Sequence, residues 1–167
     1  CDVCKKNFET RIGSITCNNV WCPNCRNKTE LKLHNELEKL SYIKSIQREY
    51  KPKWCSTEYT EMINHQFKVK RYQYRYDFLV KFKNGEKLII ELDGPQHFIQ
   101  VFNWKGPFLQ QIRDKYKEFK AKKNKISLTR LLQEDVYYDR NDWLEKLEII
   151  MKNISNKNEE FTPSVEH

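Results

Sequence analysis

Residues 71–98, RYQYRYDFLVKFKNGEKLIIELDGPQHF, decide the fold of this chain. Two runs with strand character flank Asn84-Gly85, and Asn-Gly between such runs is the strongest short-range indication of a β-hairpin. The first run, from Tyr72, alternates aromatic and basic residues, whereas the second, Lys87-Leu88-Ile89-Ile90, is continuously apolar after its lysine, as in a buried central strand. We therefore predict an antiparallel hairpin whose second strand lies inside a sheet.

Acidic residues follow directly on this apolar run. Glu91 and Asp93 point the same way because residues two apart in a strand share a face, and Asp77 on the neighbouring strand can reach the same place. We expect the turn at Gly94-Pro95 to return Gln96 and His97 toward these carboxylates. Converging carboxylates repel one another and lose solvation, and a divalent cation would offset both penalties. The pattern therefore favours metal-dependent hydrolysis of phosphodiester bonds.

Composition sets wider bounds on the protein. Its 167 residues can form one sizeable core and a small additional module. The 31 Lys and Arg against 23 Asp and Glu give a net charge of +8, which fits a polyanionic partner. No apolar run approaches the ~18 residues that span a bilayer, and no secretory signal is present. We expect an intracellular protein, in cytoplasm or nucleus, with no membrane partner. Because the chain opens at Cys1 rather than Met, the sequence leaves open whether it is a fragment that has lost a leader.

The segment 1–28 predicts a small zinc module. Two Cys-x2-Cys pairs separated by 17 residues supply four thiolates: Cys1, Cys4, Cys22 and Cys25. Two such knuckles close a tetrahedral Cys4 site for one structural zinc, as in zinc ribbons and treble clefs. A module this small has too little core to fold without its metal. Four free or disulfide-bonded cysteines are the alternative.

Helix and strand patterns alternate after the module. Leucines on one face predict a connecting helix at about 29–41, and residues 43–50 predict a first strand. We interpret 53–70 as a surface excursion. A second metal site at Cys55 and His65 is the less favoured alternative, because the two residues lack paired spacing.

The segments beyond the central hairpin predict, in order, a loop at 99–109, a helix at 110–123, a strand at 126–132 and a helix at 139–154. In the first of these helices we expect Ile112, Tyr116 and Phe119 to turn inward and the many basic residues to face mostly outward.

Aromatic residues occur in the first and the last of these segments, and their interpretation differs between the two. The loop that contains Trp104 either covers the core as a hydrophobic lid or contacts the substrate, and the sequence favours neither interpretation. In the final helix, Trp143, Leu147 and Ile150 have the spacing of a buried stripe.

Together these elements predict an α/β fold with a mixed sheet of about four strands flanked by helices. We divide the chain into a zinc-binding module (1–28), a connecting helix (29–42), a core domain (43–154) and a flexible tail (155–167).

The order of the polar motifs resembles a known family. Asp77 is followed, after thirteen intervening residues, by the string Glu91-x-Asp93-Gly94-x-Gln96-His97, and further along come Asp114-x-x-Lys117 and Thr129-Arg130-Leu131. This series is similar to the very-short-patch-repair branch of the PD-(D/E)XK nuclease superfamily, which also contains homing endonucleases. The resemblance extends to phage and giant-virus members that carry a zinc ribbon before this domain. It covers the N-terminal knuckles and residues 72–150.

The resemblance implies a restriction-endonuclease-like core and a Mg²⁺- or Mn²⁺-dependent DNA endonuclease, nicking included, whose zinc module aids DNA binding. It implies that Asp77 and Glu91 hold the catalytic metal, with Asp93 near it. His97 would handle protons on the attacking water or the leaving oxygen, and Asp114 would orient His97 or bind metal.

One position departs from the superfamily pattern. Asp93 stands where most members have the Lys that activates water, so that role passes to His97, to Lys117 or to a second metal. The residues expected to contact nucleic acid are Arg75, Gln96, Trp104, Arg113, Lys117 and Lys120.

Other functions remain alternatives at this level. A nuclease-like core that no longer cuts would act as a DNA- or RNA-binding module, and an RNA-processing nuclease would carry the same motifs. One site per chain gives one nick per binding event unless two chains pair, so a homodimer stays open.

Overall fold

The structure, a computed structural model, describes residues 28–63, 66–94 and 107–156 together with residues 7 and 9. The described elements are α1 (Lys28–Glu38), β1 (Ile43–Tyr50), β2 (Ser56–Ile63), β3 (Gln66–Gln73), β4 (Tyr76–Phe82), β5 (Lys87–Asp93), α2 (Pro107–Lys123), β6 (Ser127–Leu132), α3 (Gln133–Tyr138) and α4 (Trp143–Ser155). Among the helices of this part of the chain, none combines the length and apolar character needed to cross a lipid bilayer.

Four strands form a mixed sheet in the order β1-β4-β5-β6, while β2 and β3 form a separate two-stranded sheet. β4 is antiparallel to β1 and β5, and β5 is parallel to β6. The predicted α/β fold with a four-stranded mixed sheet is therefore confirmed. The central hairpin is confirmed as well, since Phe78 pairs with Ile90 and Lys81 with Lys87. Its turn places Gly85 at φ 93°, a conformation that glycine adopts readily.

Helices cover both faces of this sheet, which explains why Phe78, Leu79 and Val80 of β4 and Leu88, Ile89 and Ile90 of β5 are all apolar and buried. One face packs against α1, α3 and α4, and the buried residues there include Leu33, Leu37, Phe78, Val80, Leu88, Ile90, Val136, Leu147 and Met151. The opposite face packs against α2 and the segment before β2, with Cys55, Tyr76, Leu79, Ile89 and Ala121 buried. The polar residues at the end of β5 thus lie beside a layered core that fixes the strands.

The polar side of α2 faces the sheet. Ile112 and Phe119, which were expected to turn inward, are 48% and 60% exposed, so that prediction is wrong for both. Tyr116 is half-buried and Ala121 is fully buried. The reason lies in the charge of the neighbouring strand end, where Lys117 of α2 pairs with a buried carboxylate. Ion pairing, in addition to apolar burial, sets the orientation of this helix.

The predicted surface excursion at 53–70 is exposed for most of its length, but it is a regular β-hairpin. β2 and β3 pair from Ser56–Gln73 to Ile63–Gln66 without a register shift. Tyr72 belongs to this hairpin, so the first strand of the central hairpin begins at Tyr76 instead.

The predicted final helix at 139–154 begins later than expected. Asp139 is left-handed at φ 52° and follows α3, and α4 starts at Trp143. Trp143 and Leu147 are buried as predicted, but Ile150 is 37% exposed and Met151 is buried in its place. The buried stripe of α4 is therefore shifted by one residue after Leu147.

Asn84 links the central hairpin to the end of α4. Its Nδ2 donates to the carbonyl oxygens of Ile154 and Ser155 at 2.9 and 2.6 Å, and its Oδ1 accepts from the N–H of Glu86 at 3.0 Å. These bonds satisfy carbonyls that a helix end leaves without an intrahelical partner. We expect Asn84→Ala to lower the free energy of unfolding by about 1–3 kcal/mol in urea denaturation. Lys83→Ala on the adjacent exposed residue should change it by less than about 0.5 kcal/mol. Equal losses in the two variants would contradict this role.

Candidate functional site

Asp77 is held against the end of β5. The paired residues of β4 and β5 run as far as Phe78 and Ile90. Beyond them, the backbone N–H of Leu92 donates to Oδ2 of Asp77 at 2.8 Å. The carboxylate thus takes the place of a backbone acceptor, which fixes Asp77 beside the acidic end of β5.

Glu91 is the buried charge of the site. It is 5% exposed, and among residues 28–63, 66–94 and 107–156 it is the one charged residue buried to that degree. Its Oε1 forms an ion pair with Nζ of Lys117. The pKa of the Glu91 carboxyl is raised to about 7, chiefly by burial; Asp77 adds to the rise, whereas Lys117 and Arg130 oppose it. Strongly perturbed carboxyls of this kind cluster at functional sites.

Lys117 is positioned through both its backbone and its side chain. The hydroxyl of Tyr76 donates to the carbonyl oxygen of Lys117 at 2.8 Å and lies 3.2 Å from Sγ of Cys55. The ammonium of Lys117 lies 4.8 Å from the centroid of the Tyr76 ring, within the range of a cation–π contact. Tyr76 therefore fixes the helix turn from which Lys117 reaches Glu91.

Arg130 connects the carboxylates of Asp93 and Asp114. Its Nη1 donates to Oδ1 of Asp93 at 2.8 Å, and its Nη2 lies 3.5 Å from Oδ1 of Asp114. β6 places Arg130 directly beside Glu91 in the parallel register. Strand β6 thus supplies a guanidinium between acids of β5 and α2.

The predicted acids therefore fall into two groups. Asp77 and Glu91 lie together at the adjoining ends of β4 and β5, whereas Asp93 and Asp114 share Arg130. In the part of the chain that the structure describes, no group of three or more His, Cys, Asp and Glu has the geometry to hold a metal ion.

Asp77 and Glu91 nevertheless fit a hard divalent cation. Both offer carboxylate oxygens, the donors that Mg²⁺ and Mn²⁺ prefer. The proximity of Asp77 and the burial of Glu91 both raise the pKa of Glu91. An added positive charge would relieve both effects.

A basic groove opens beside Lys117. It has a volume of about 360 Å³ and is lined by Lys51, Tyr72, Gln73, Tyr74, Arg75, Gln110, Arg113 and Lys117. Three of the residues predicted to contact nucleic acid, Arg75, Arg113 and Lys117, line it together. Lys120 lies further along α2, with its ammonium 5.2 Å from the Tyr116 ring centroid.

Seven predicted site residues lie outside the described residues: Cys1, Cys4, Cys22, Cys25, Gln96, His97 and Trp104. Sequence reasoning assigned no role to Arg130 or Tyr76, although both position the site. Arg130 had a readable signal, because it is the one charge within the otherwise largely apolar strand β6. Tyr76 had no such signal, because its contact with Lys117 joins residues 41 positions apart.

No protein-family model matches this chain, and no curated protein or solved structure matches it.

Proposed function

We propose that this protein is a metal-dependent endonuclease that hydrolyses phosphodiester bonds of DNA, with a restriction-endonuclease-like core. The observation that carries the proposal is the buried Glu91, which is adjacent to Asp77 and ion-paired with Lys117, a residue that lines the basic groove. Charge of both signs at the edge of a basic groove suits a reaction that develops negative charge on a phosphate.

Asp77 and Glu91 would hold the Mg²⁺ or Mn²⁺ ion. When bound, such an ion polarises the phosphate and lowers the pKa of a water molecule. Residues of the chain itself bind and position the DNA. Arg75 and Arg113 in the groove bind backbone phosphates and set the position of the strand.

Lys117 takes the role that the superfamily assigns to the Lys replaced here by Asp93. Its contact with Glu91 supports this choice over the alternatives left open by the sequence. From that position an ammonium can orient the attacking water and offset charge on the phosphate. Asp93, paired with Arg130, then acts as a positioning residue for the strand end.

Two further roles rest on the sequence alone. His97 is proposed as the group that moves a proton, since its ordinary pKa lies near neutral pH. Cys1, Cys4, Cys22 and Cys25 are proposed to hold one structural zinc, distinct from the catalytic metal because thiolates favour softer ions.

The proposal is tested with labelled duplex, nicked and single-stranded DNA and with a matched RNA duplex. Each is incubated with the wild type in Mg²⁺, in Mn²⁺ or without either ion, beside Asp77→Ala and Glu91→Ala. We expect cleavage of DNA that requires the metal and both carboxylates. Equal cleavage by all three proteins would contradict the assignment of Asp77 and Glu91 as metal ligands. Preferential cleavage of RNA would favour the RNA-processing alternative.

A second function, DNA binding without cleavage, has one observation in its favour. Lys117 and Arg130 already pair with Glu91 and Asp93, so the charges are balanced by the chain itself. Tight, salt-sensitive binding with no metal-stimulated product in the same experiment would support it.

For the zinc module, we expect Cys22→Ser to release zinc and to weaken DNA binding while the core formed by α1, the four-stranded sheet and α2 to α4 stays folded, because that core has its own apolar layers. Metal analysis measures the zinc and a DNA titration measures the affinity, while single-turnover cleavage at saturating enzyme measures the chemical step, on which we expect a weaker effect. Cys17→Ser, which changes a cysteine outside the proposed ligand set, is the matched control. Full zinc retention in Cys22→Ser would refute the ligand assignment, and unfolding of the core with zinc loss would show that the two parts form one cooperative unit.

A further inference from the structure

The β2–β3 hairpin extends beyond the layered core. Its strands pair over eight residues each, which corresponds to an arm about 26 Å long. All eight residues of β3 are exposed, and so are residues 58–62 of β2. A two-stranded ribbon with both faces in solvent is marginally stable by itself, which suggests that the arm meets a partner.

The base of this arm is fixed to the candidate site. The hydroxyl of Tyr116 on α2 donates to the carbonyl oxygen of Ser56 at 2.7 Å, and the N–H of Tyr74 donates to the carbonyl oxygen of Cys55 at 2.8 Å. The side-chain amide of Gln73 donates to the carbonyl oxygen of Lys51 at 2.9 Å, which adds a hydrogen bond at the base of the arm. The arm therefore leaves the core in a direction set by the same helix that carries Lys117.

The two faces of the arm differ. Cross-strand partners share a face, so Lys68, Lys70 and Tyr72 lie on one face with their partners on β2. Tyr72 also lines the basic groove, which makes this face continuous with it. The other face carries Phe67 and Val69, which are 75% and 70% exposed.

We infer that this arm enters the major groove of a B-form DNA duplex whose backbone lies along the basic groove. The inference rests on the proposed function, because it specifies which nucleic acid the same site binds. A major groove about 12 Å wide admits a two-stranded β-ribbon. β3 carries Lys68, Lys70 and Arg71, and β2 carries Glu58 and Glu61, so the paired strands have a net charge of +1; Glu61 forms an ion pair with Lys70.

The same geometry favours DNA over RNA. The major groove of an A-form RNA duplex is deep and narrow, so that side chains cannot read it. Phe67 and Val69 have an apolar counterpart in the major groove, where thymine presents a methyl group. The arm would therefore select a DNA duplex over an RNA duplex, a selection that the carboxylates of the candidate site do not make.

The first test compares two double variants without added Mg²⁺ or Mn²⁺, where we expect no cleavage and the structural zinc is kept. Lys68→Gln with Lys70→Gln removes two charges from the arm, and Lys146→Gln with Lys152→Gln removes two exposed charges from α4 on the opposite side of the sheet. DNA binding is measured by fluorescence anisotropy over a range of salt. We expect the arm variant to reduce the slope of log K against log salt by about two, and the α4 variant to leave it unchanged. Equal slopes in wild type and arm variant would overturn the inference.

The second test asks which groove the arm occupies. Methylation of guanine N7 blocks the major groove, and methylation of adenine N3 blocks the minor groove. We expect guanine-N7 interference in the wild type that the arm variant loses, and no effect of the arm variant on binding to a matched RNA duplex. Interference confined to adenine N3, or equal losses on DNA and RNA, would contradict the proposal.

A second copy of the chain is the competing occupant of the arm. Self-association that Phe67→Ser abolishes while DNA binding stays unchanged would assign the arm to that contact and overturn the inference. These experiments distinguish failure of the inference about the arm from failure of the proposed endonuclease function. Arm-dependent DNA binding without any cleavage would contradict the endonuclease alone, whereas cleavage with an unaffected arm variant would contradict the arm alone.

Discussion

Replacing Lys117 by methionine is expected to slow the single-turnover cleavage of duplex DNA by about 10²–10³-fold, the effect of losing one preorganised donor at a developing charge. Methionine keeps an apolar chain against the Tyr76 ring but removes the ammonium that pairs with Glu91. Because only one of several cationic groove residues is lost, DNA affinity should change much less than the rate.

Lys115→Met is the matched control for this change. Lys115 is on the same helix, two residues away, and its side chain is exposed. We expect it to cleave within about twofold of the wild type, since surface substitutions away from a site have small effects. If Lys117→Met and Lys115→Met cleave equally fast, the role given to Lys117 is wrong. Retained folding is checked by circular dichroism.

Replacing Arg130 by methionine is expected to lower the free energy of unfolding by about 2–4 kcal/mol. Its side chain is 24% exposed and pairs with Asp93 and Asp114, which are less exposed still. Removing one partner of a largely buried pair leaves the other charges uncompensated, and the partial exposure of Arg130 lessens that penalty. Adding Asp114→Asn to the variant should restore part of the loss, because it removes one of the stranded charges.

Arg48→Met provides the comparison for Arg130. Arg48 pairs with Glu30 at 2.9 Å, but its own side chain is 38% exposed. Pairs of this kind contribute about 0–1 kcal/mol. Urea denaturation of the two variants gives both values directly. A loss in Arg130→Met as small as that in Arg48→Met would show that the guanidinium does not hold the strand end together.

The central hairpin was predictable because local and global signals agree there. The Asn-Gly turn fixes the connection, and the apolar run that follows fits a strand covered on both faces. The orientation of α2 was not predictable by the same means. Periodicity assumes that the inward face is apolar, whereas Lys117 faces inward to meet Glu91.

The β2–β3 hairpin escaped prediction for a related reason. A strand is recognised by alternation between a buried and a solvated face, and this hairpin leaves both faces largely in solvent. Polar and apolar residues therefore follow no burial pattern along it. Its existence depends on cross-strand pairing, which a single sequence does not display.

The candidate site was predictable in its acids and less so in its cations. Asp77 and Glu91 are recognisable because charge at the end of an apolar strand is unusual. Arg130 approaches them through the parallel pairing of β5 with β6. That pairing places it beside Glu91 although the two are far apart in sequence, so its role follows from topology rather than from spacing.

The most direct measurement is the single-turnover rate at which Glu91→Gln cuts a labelled DNA duplex in saturating Mg²⁺. Glutamine keeps the size of the side chain and removes its charge, and Glu118→Gln on an exposed position of α2 is the control. The account predicts a rate about 10³-fold below the wild type for Glu91→Gln, with DNA binding retained, and a wild-type rate for Glu118→Gln. Cleavage by Glu91→Gln within twofold of the wild type would contradict it.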